Sequence, residues 1–302
     1  MLPKRFAIVC AGQGQQASLD FDGLRPSAQD HKDYQGVWEG FSAEVGQDFA
    51  DHWNTLSLDQ RNLNRYAQLS VVAWQVLHYL RHRSTCPRPD WVLGYSVGEL
   101  SALAIAGSLP MDRLAHWVAL RAQLMDAAMP NPEGVSCLIL LSERLPPASR
   151  TRRQLCLDQL GLQCAIRRSS SESIWGGPAN QVSAFLERAA QEGWNARSID
   201  VKVPSHTRYL NSALPLWLDA LQSSVIHDPD TGVLAGISAE PIRTSSRVCW
   251  ALSQQLVQTI RWDDCLEAML EHGVNQVWDL GPGQDQTRLI KERNPEMDFV
   301  EI

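Results

Sequence analysis

No apolar run in this 302-residue chain approaches the roughly 18–20 residues that a bilayer-spanning helix needs, so a membrane-spanning helix is not expected. The opening stretch, MLPKRFAIVCAGQGQQ, has too short an apolar core for a secretory signal, and the expected location is cytoplasmic. Basic residues are in deficit. The 27 Lys and Arg stand against 34 Asp and Glu for a net charge of −7, which excludes nucleic acid as the main partner, because phosphate neutralisation needs a basic excess. The seven cysteines contain no CxxC pair, so neither a metal site nor a dithiol redox site is expected, and they read as reduced thiols. There is no internal repeat and no low-complexity tract.

What remains is an ordinary globular composition, 44% apolar and 20% charged. The length exceeds what one hydrophobic core usually serves, which favours one large domain carrying a smaller one. Arg5–Cys10 reads as a short buried strand running into the glycine-rich turn Ala11–Gln16. Ser18–Leu63 is polar and weakly periodic, consistent with short helices and loops. Ala67–Leu80 has helical spacing, and CPRPD at Cys86–Asp90 breaks it before a strand at Trp91–Leu93. From about Gly134 to Asp200 the pattern becomes strand Val135–Leu141, helix Ala148–Leu160, strands Gln163–Arg167 and Ser173–Trp175, helix Gln181–Gln191 and strand Asn195–Ile199. That βαββαβ succession is a ferredoxin-like unit. The expected fold is therefore α/β with a discontinuous large domain, 1–130 and 201–302, and an inserted small domain, 131–200. In the second part of the large domain a helix is expected from Thr207, a strand near Val233, a helix at Val248–Val257 and a further strand within Val274–Gly283.

VLGYSVGELSALAIAG, Val92–Gly107, places Ser96 between Gly94 and Gly98, after a strand and before an apolar helix. This is the setting of a nucleophile elbow: the tight bend leaves no room for a Cβ beside the serine and presents its hydroxyl at a helix N-terminus, which favours developing negative charge. The GxSxG pattern alone is weak; its strand–turn–helix context carries the reading. A serine needs a base, normally an imidazole. His78 and His116 lie in helical runs, His31, His52, His227 and His272 among polar residues, and His82 between arginines. His206, in VKVPSHTRYL, follows a predicted strand and a Pro-Ser turn, where a loop can hold it over a pocket. Arg121 shares a helical face with Leu114, Val118, Leu124 and Met125, where a guanidinium is costly unless it meets an anion. Snorkelling, or pairing with Asp126 or Glu99, is the alternative reading.

These segments together resemble the malonyl-CoA:acyl carrier protein transacylase family over nearly the whole chain. The GQG of Gly12–Gly14, GYSVGE of Gly94–Glu99, ALRAQLM of Ala119–Met125, VPSH of Val203–His206 and DLGPG of Asp279–Gly283 occur in that family's order. The resemblance implies an α/β-hydrolase-like large domain with a ferredoxin-like small one. It also implies Ser96 as nucleophile, His206 as general base and then acid, and the backbone carbonyl of Gln255 orienting the histidine in place of an aspartate. The N–H groups of Gln13 and Val97 would form the oxyanion hole, and Arg121 would grip the malonyl carboxylate. No bound cofactor is implied; a coenzyme A thioester is the substrate and an acyl carrier protein the partner.

Tyr95 stands where the family commonly has histidine, Ala122 where it has glycine, and Arg65, in NRYAQLS, where it has a substrate-side glutamine. Tyr95 and Arg65 are accordingly expected at the substrate. The readings AGQGQQ and GYSVGE resemble most closely the transacylase subunit of biotin-independent malonate decarboxylase, whose acceptor is an acidic carrier subunit with a prosthetic thiol. Arg150, Arg152, Arg153, Arg167, Arg168, Lys202 and Arg208 are candidate contacts for it. A transacylase of fatty acid synthesis, a serine thioesterase and a non-catalytic scaffold are the competing readings.

Overall fold

The computed structural model describes residues 4–131 and 133–300. Strand β1 (Phe6–Cys10) is buried along its whole length, the mark of a central parallel strand covered on both faces. The region up to residue 63 holds more helix than its weak periodicity suggests. Helix α1 (Lys32–Val45) is capped by the His31 side chain and closed by Gly46 in the left-handed region, and α2 (Phe49–Thr55) and α3 (Leu58–Arg61) follow. Then come α4 (Asn64–His82), β2 (Trp91–Gly94), α5 (Gly98–Ile105) and α6 (Leu114–Ala128).

The βαββαβ stretch is present as β3 (Leu138–Ser142), α7 (Pro147–Gln159), β4 (Gln163–Ser169), β5 (Glu172–Gly176), α8 (Ala179–Glu192) and β6 (Ala196–Ile199). The strand expected from Val135 begins three residues later, at Leu138. In place of one helix from Thr207 there is a 3-10 turn, Arg208–Ala213, and then α9 (Leu214–Gln222). The chain ends with β7 (Gly232–Leu234), β8 (Pro241–Ile242), α10 (Ser245–Gln255), β9 (Ile260–Arg261), α11 (Trp262–Glu271), β10 (Gln276–Asp279), α12 (Asp285–Arg293) and β11 (Asp298–Phe299).

One sheet has the order β11-β10-β1-β2-β7-β8, parallel except for the final pair. Register pairs Cys10 with Gly94, so β1 and β2 finish side by side and the glycine-rich turn and the serine bend leave from the same sheet edge. In open parallel sheets, that carboxyl edge is where ligands bind. The second sheet has the order β6-β3-β5-β4-β9. Its fifth strand comes from outside the βαββαβ stretch: Ile260–Arg261 pairs in parallel with Ile166–Arg167, joining the two units through backbone hydrogen bonds.

Alternation along β3 ties the layers together. Ile139 and Leu141 pack with Leu157, Val182 and Phe185 of α7 and α8, while Leu138 and Leu140 face the other way into a cluster with Val9, Leu93, Tyr95 and Trp262. The small sheet thus lies with one face against the edge from which Ser96 emerges.

Candidate active site

The bend after β2 is built from close contacts that only glycine permits. A Cβ on Gly94 would lie 2.2 Å from Glu99 Cα, and one on Gly98 would lie 2.4 Å from the carbonyl oxygen of Cys10. Ser96 between them takes φ 57°, a left-handed conformation that costs a non-glycine residue strain of order 1 kcal/mol and persists only where the surroundings impose it. Val97 then caps α5, so the Ser96 hydroxyl stands at a helix N-terminus.

His206 is strained in the same way, with φ 62°. Its Nε2 lies 2.7 Å from Ser96 Oγ, and its Nδ1 lies 2.6 Å from the carbonyl oxygen of Gln255. Helix α10 ends at Gln255, so that carbonyl belongs to the last turn, whose oxygens lack helical partners. The main-chain N–H of His206 donates to the next carbonyl, that of Leu256, at 2.9 Å. A carbonyl can only accept, so Nδ1 carries the proton and Nε2 offers its lone pair to the serine. Burial, then the charge of Arg121, push the imidazole down to about 3, against a smaller upward pull from the Gln255 carbonyl. The histidine is neutral at physiological pH, with its Nε2 lone pair free to take the serine proton.

Arg121 is buried in α6 and donates to two neutral amides, Gln68 Oε1 at 2.6 Å and Gln255 Oε1 at 3.0 Å. Neither pairing weighed from the sequence is a direct contact. Asp126 instead accepts from Asn64 at 2.9 Å, and Glu99 acts on Arg121 through its field. Burial lowers the guanidinium to about 10 and raises the Glu99 carboxyl to about 7, the latter opposed by hydrogen bonds from Gln255 and Gly236 and by Arg121. The Gln255 amide is fully committed: its oxygen accepts from Arg121, and its nitrogen donates to the Ser96 carbonyl at 2.9 Å and to Glu99 Oε2.

A cavity of about 200 Å³ opens onto Ser96 and His206 and is lined also by Gly12, Gln13, Tyr95 and Arg168 among others, with Arg121 buried outside that lining. Among the described residues, the main-chain N–H groups of Gln13 and Val97 donate to no protein acceptor, which leaves them free for an oxygen at Ser96. Tyr95 packs edge-on against Trp262 with ring centroids 5.2 Å apart. Among the described residues, no group of three or more His, Cys, Asp or Glu could hold a metal ion, and no helix is long and apolar enough to cross a membrane.

Three sequence expectations need correction. Arg65 is exposed and donates to the Glu44 carbonyl at 2.7 Å, because it falls one residue past the buried row Asn64, Ala67 and Gln68. Gln68, one turn further on, is the side chain that reaches Arg121. Arg153 and Arg168 are buried and ion-paired, Arg153 with Glu143 and Arg168 with Glu172 and Asp285, so neither is a docking contact on a free surface. No sequence motif marked Gln68 as a partner of Arg121, and Glu99, weighed as a direct ion pair, is linked to Arg121 through the Gln255 amide instead.

Residues 59–282 match the acyl transferase domain family. A malonyl CoA-acyl carrier protein transacylase of Bacillus subtilis is 25% identical over 224 residues, 74% of this chain, and the chain spans 55% of that relative's length. The protein of the same description from Mycobacterium bovis is 27% identical over 291 residues, covering 94% of this chain and 92% of that one. Among solved structures, a chain from the complex of a type II PKS acyl-carrier protein with its malonyl-transacylase aligns with a TM-score of 0.86 at 22% identity, over 99% of this chain and 96% of that one, a likeness of fold.

Proposed function

Because the chain belongs to the acyl transferase domain family, we propose that it carries a malonyl group from coenzyme A to the thiol of an acyl carrier protein through an ester on Ser96. The observation that carries this reading is the 2.7 Å contact between Ser96 Oγ and a histidine held neutral and in the right tautomer. Ser96 Oγ attacks the thioester carbonyl as its proton passes to His206 Nε2. The resulting oxyanion takes the N–H groups of Gln13 and Val97, donors worth about 3 kcal/mol of barrier each. Collapse breaks the carbon–sulfur bond, and His206 returns the proton to the departing coenzyme A thiolate. The carrier thiol then repeats the sequence in reverse, giving the malonyl thioester and free Ser96. Arg121 holds the malonyl carboxylate, exchanging amide partners for it.

Within this reading the chain divides into an α/β-hydrolase-like unit, 1–130 and 201–302, and an inserted ferredoxin-like unit, 131–200. The strand order β6-β3-β5-β4 supports the second label. A carrier as acceptor is supported by the relatives' descriptions and by the carrier complex among the structural neighbours. Those descriptions favour a general malonyl-CoA:acyl carrier protein transacylase; the malonate decarboxylase branch rests on AGQGQQ and GYSVGE alone. Of the arginines first considered for docking, Arg208 is exposed beside a second depression that reaches His206.

The test is incubation with malonyl-CoA followed by mass spectrometry of the Ser96 peptide, then addition of either carrier. A malonyl ester that moves to a carrier faster than it is hydrolysed is expected. Dominant release of malonate would make the protein a hydrolase, and no ester at all would make it a scaffold. The preferred carrier separates the two branches.

A further inference from the structure

Glu99 is a fully buried carboxylate one turn beyond the nucleophile, and the transfer chemistry gives it no step. Its Oε2 accepts from Gln255 Nε2 and its Oε1 from the Gly236 N–H at a long 3.4 Å. The same Gln255 amide accepts from Arg121 and anchors the Ser96 carbonyl. One glutamine therefore spans two opposite charges, Glu99 and Arg121, while its main chain holds His206. Of the titratable groups on the surrounding elements, Arg121 on α6 acts on Glu99, and Cys265 on α11 feels Glu99 together with Asp263, Asp264 and Arg261; Tyr95 after β2, Cys10 on β1 and His206 are also buried there. The tyrosine and both thiols are driven upward by burial and stay neutral, and His206 is driven downward and stays neutral. Helices α4 and α10 contribute Gln68 and Gln255 there, which do not ionise. Among the described residues, Arg121 is the charge that acts on Glu99.

We infer that Glu99 is the counter-charge that sets acyl selectivity: it takes a proton from solvent when a carboxylate-bearing acyl group occupies Arg121 and releases it when the group leaves. This rests on Arg121 as the carboxylate site. In the empty protein the ionised pair is neutral overall. A malonyl carboxylate entering beside an ionised Glu99 would leave two buried negative charges sharing one guanidinium, which low-dielectric surroundings penalise heavily. A single proton, passing from a buffer acid to a Glu99 oxygen with no other bond changed, restores neutrality. An acetyl group brings no charge and needs no proton. Burial already holds the carboxyl near about 7, so the proton is accessible in the physiological range.

The measurement is the ratio of kcat/KM for malonyl-CoA to that for acetyl-CoA across about pH 6 to 9, in which the titrations of His206 and of the coenzyme A thiol cancel. The ratio should fall with rising pH, by up to about tenfold per unit above the Glu99 titration. In Glu99→Gln it should be flat and at least as high as the wild-type value at low pH. A flat wild-type ratio, or a Glu99→Gln profile parallel to wild type, overturns the inference. A second readout needs no variant. In weak buffer at about pH 8 with an indicator dye, formation of the malonyl ester should take up about one proton more than formation of the acetyl ester, the partial ionisation of the released coenzyme A thiol being common to both; equal uptake overturns the inference. Absence of any malonyl ester at any pH would remove the proposed function and this inference together, whereas an ester with a flat ratio removes only the inference.

Discussion

Gln255 holds His206 with its main chain and Arg121 with its side chain: its carbonyl oxygen is 2.6 Å from the imidazole Nδ1 and its amide oxygen 3.0 Å from the guanidinium. Base and carboxylate site are thus set by one residue at the end of one helix, and the two functions can be separated by cutting away the side chain alone.

Gln255→Ala keeps the carbonyl that orients His206 but strips partners from Arg121, Glu99 and the Ser96 carbonyl. Ester formation on Ser96 should persist, while preference for malonyl over acetyl falls about tenfold or more. Unfolding in urea should show a loss of about 2–3 kcal/mol from buried groups left unpaired. Equal loss of both acyl transfers would show that the side chain supports the base as well.

His206 makes the acid side informative. Its folded-state value lies far below the unfolded imidazole, so the folded protein binds fewer protons between about 3 and 6.5, and stability present above that window is lost as pH falls through it. Between about pH 7 and 5 the loss should reach up to about 2 kcal/mol. His206→Gln should flatten this dependence. For the same reason, ester formation by the wild type should continue well below about pH 6.5 instead of declining there; a midpoint at the ordinary imidazole value would contradict the burial argument.

Arg121→Ala should abolish malonyl ester formation by about 100-fold or more while acetyl transfer rises or holds, because the buried guanidinium that would pair with the malonyl carboxylate is gone and Arg168 is already engaged by Glu172 and Asp285. The expected change is in the ratio, read by mass spectrometry of Ser96 with each donor. An unchanged ratio would leave Arg121 as a structural bridge between Gln68 and Gln255.

Much of this arrangement could be read from local sequence. Period and breakers located β1, β2 and the whole βαββαβ stretch to within a few residues, because apolar periodicity and Gly or Pro punctuation announce themselves in short windows. Ser96 and His206 were legible through their motifs and Gln255 through the family resemblance, and the structure brings the three together. What short windows could not show was pairing over long separations. The addition of β9 to the small sheet depends on two residues, Ile260 and Arg261. The partners of Arg168 and Arg153 are fixed by tertiary placement, so charges that look solvated in the sequence turn out buried. On α4, a row off by one residue separated exposed Arg65 from Gln68, which meets Arg121 more than fifty residues away.

The bend itself offers the sharpest structural test. At Gly98 an added Cβ would lie 2.4 Å from the Cys10 oxygen and 2.5 Å from that of Ala11, both main-chain atoms of β1 and the turn that follows it. Neither can yield without shifting the register that pairs Cys10 with Gly94 or displacing the turn that carries Gln13. Gly98→Ala should therefore destabilise the fold by about 3 kcal/mol or more, and the fraction that folds should form the Ser96 ester slowly, since the Gln13 and Val97 N–H groups would be forced apart. Gly36→Ala is the matched control, in α1 with nothing within 4 Å of the new methyl. Helix propensity there favours alanine, so thermal unfolding of that variant should be unchanged or slightly raised. Equal melting temperatures for the two variants would mean that the contact between the serine bend and β1 does not constrain the site.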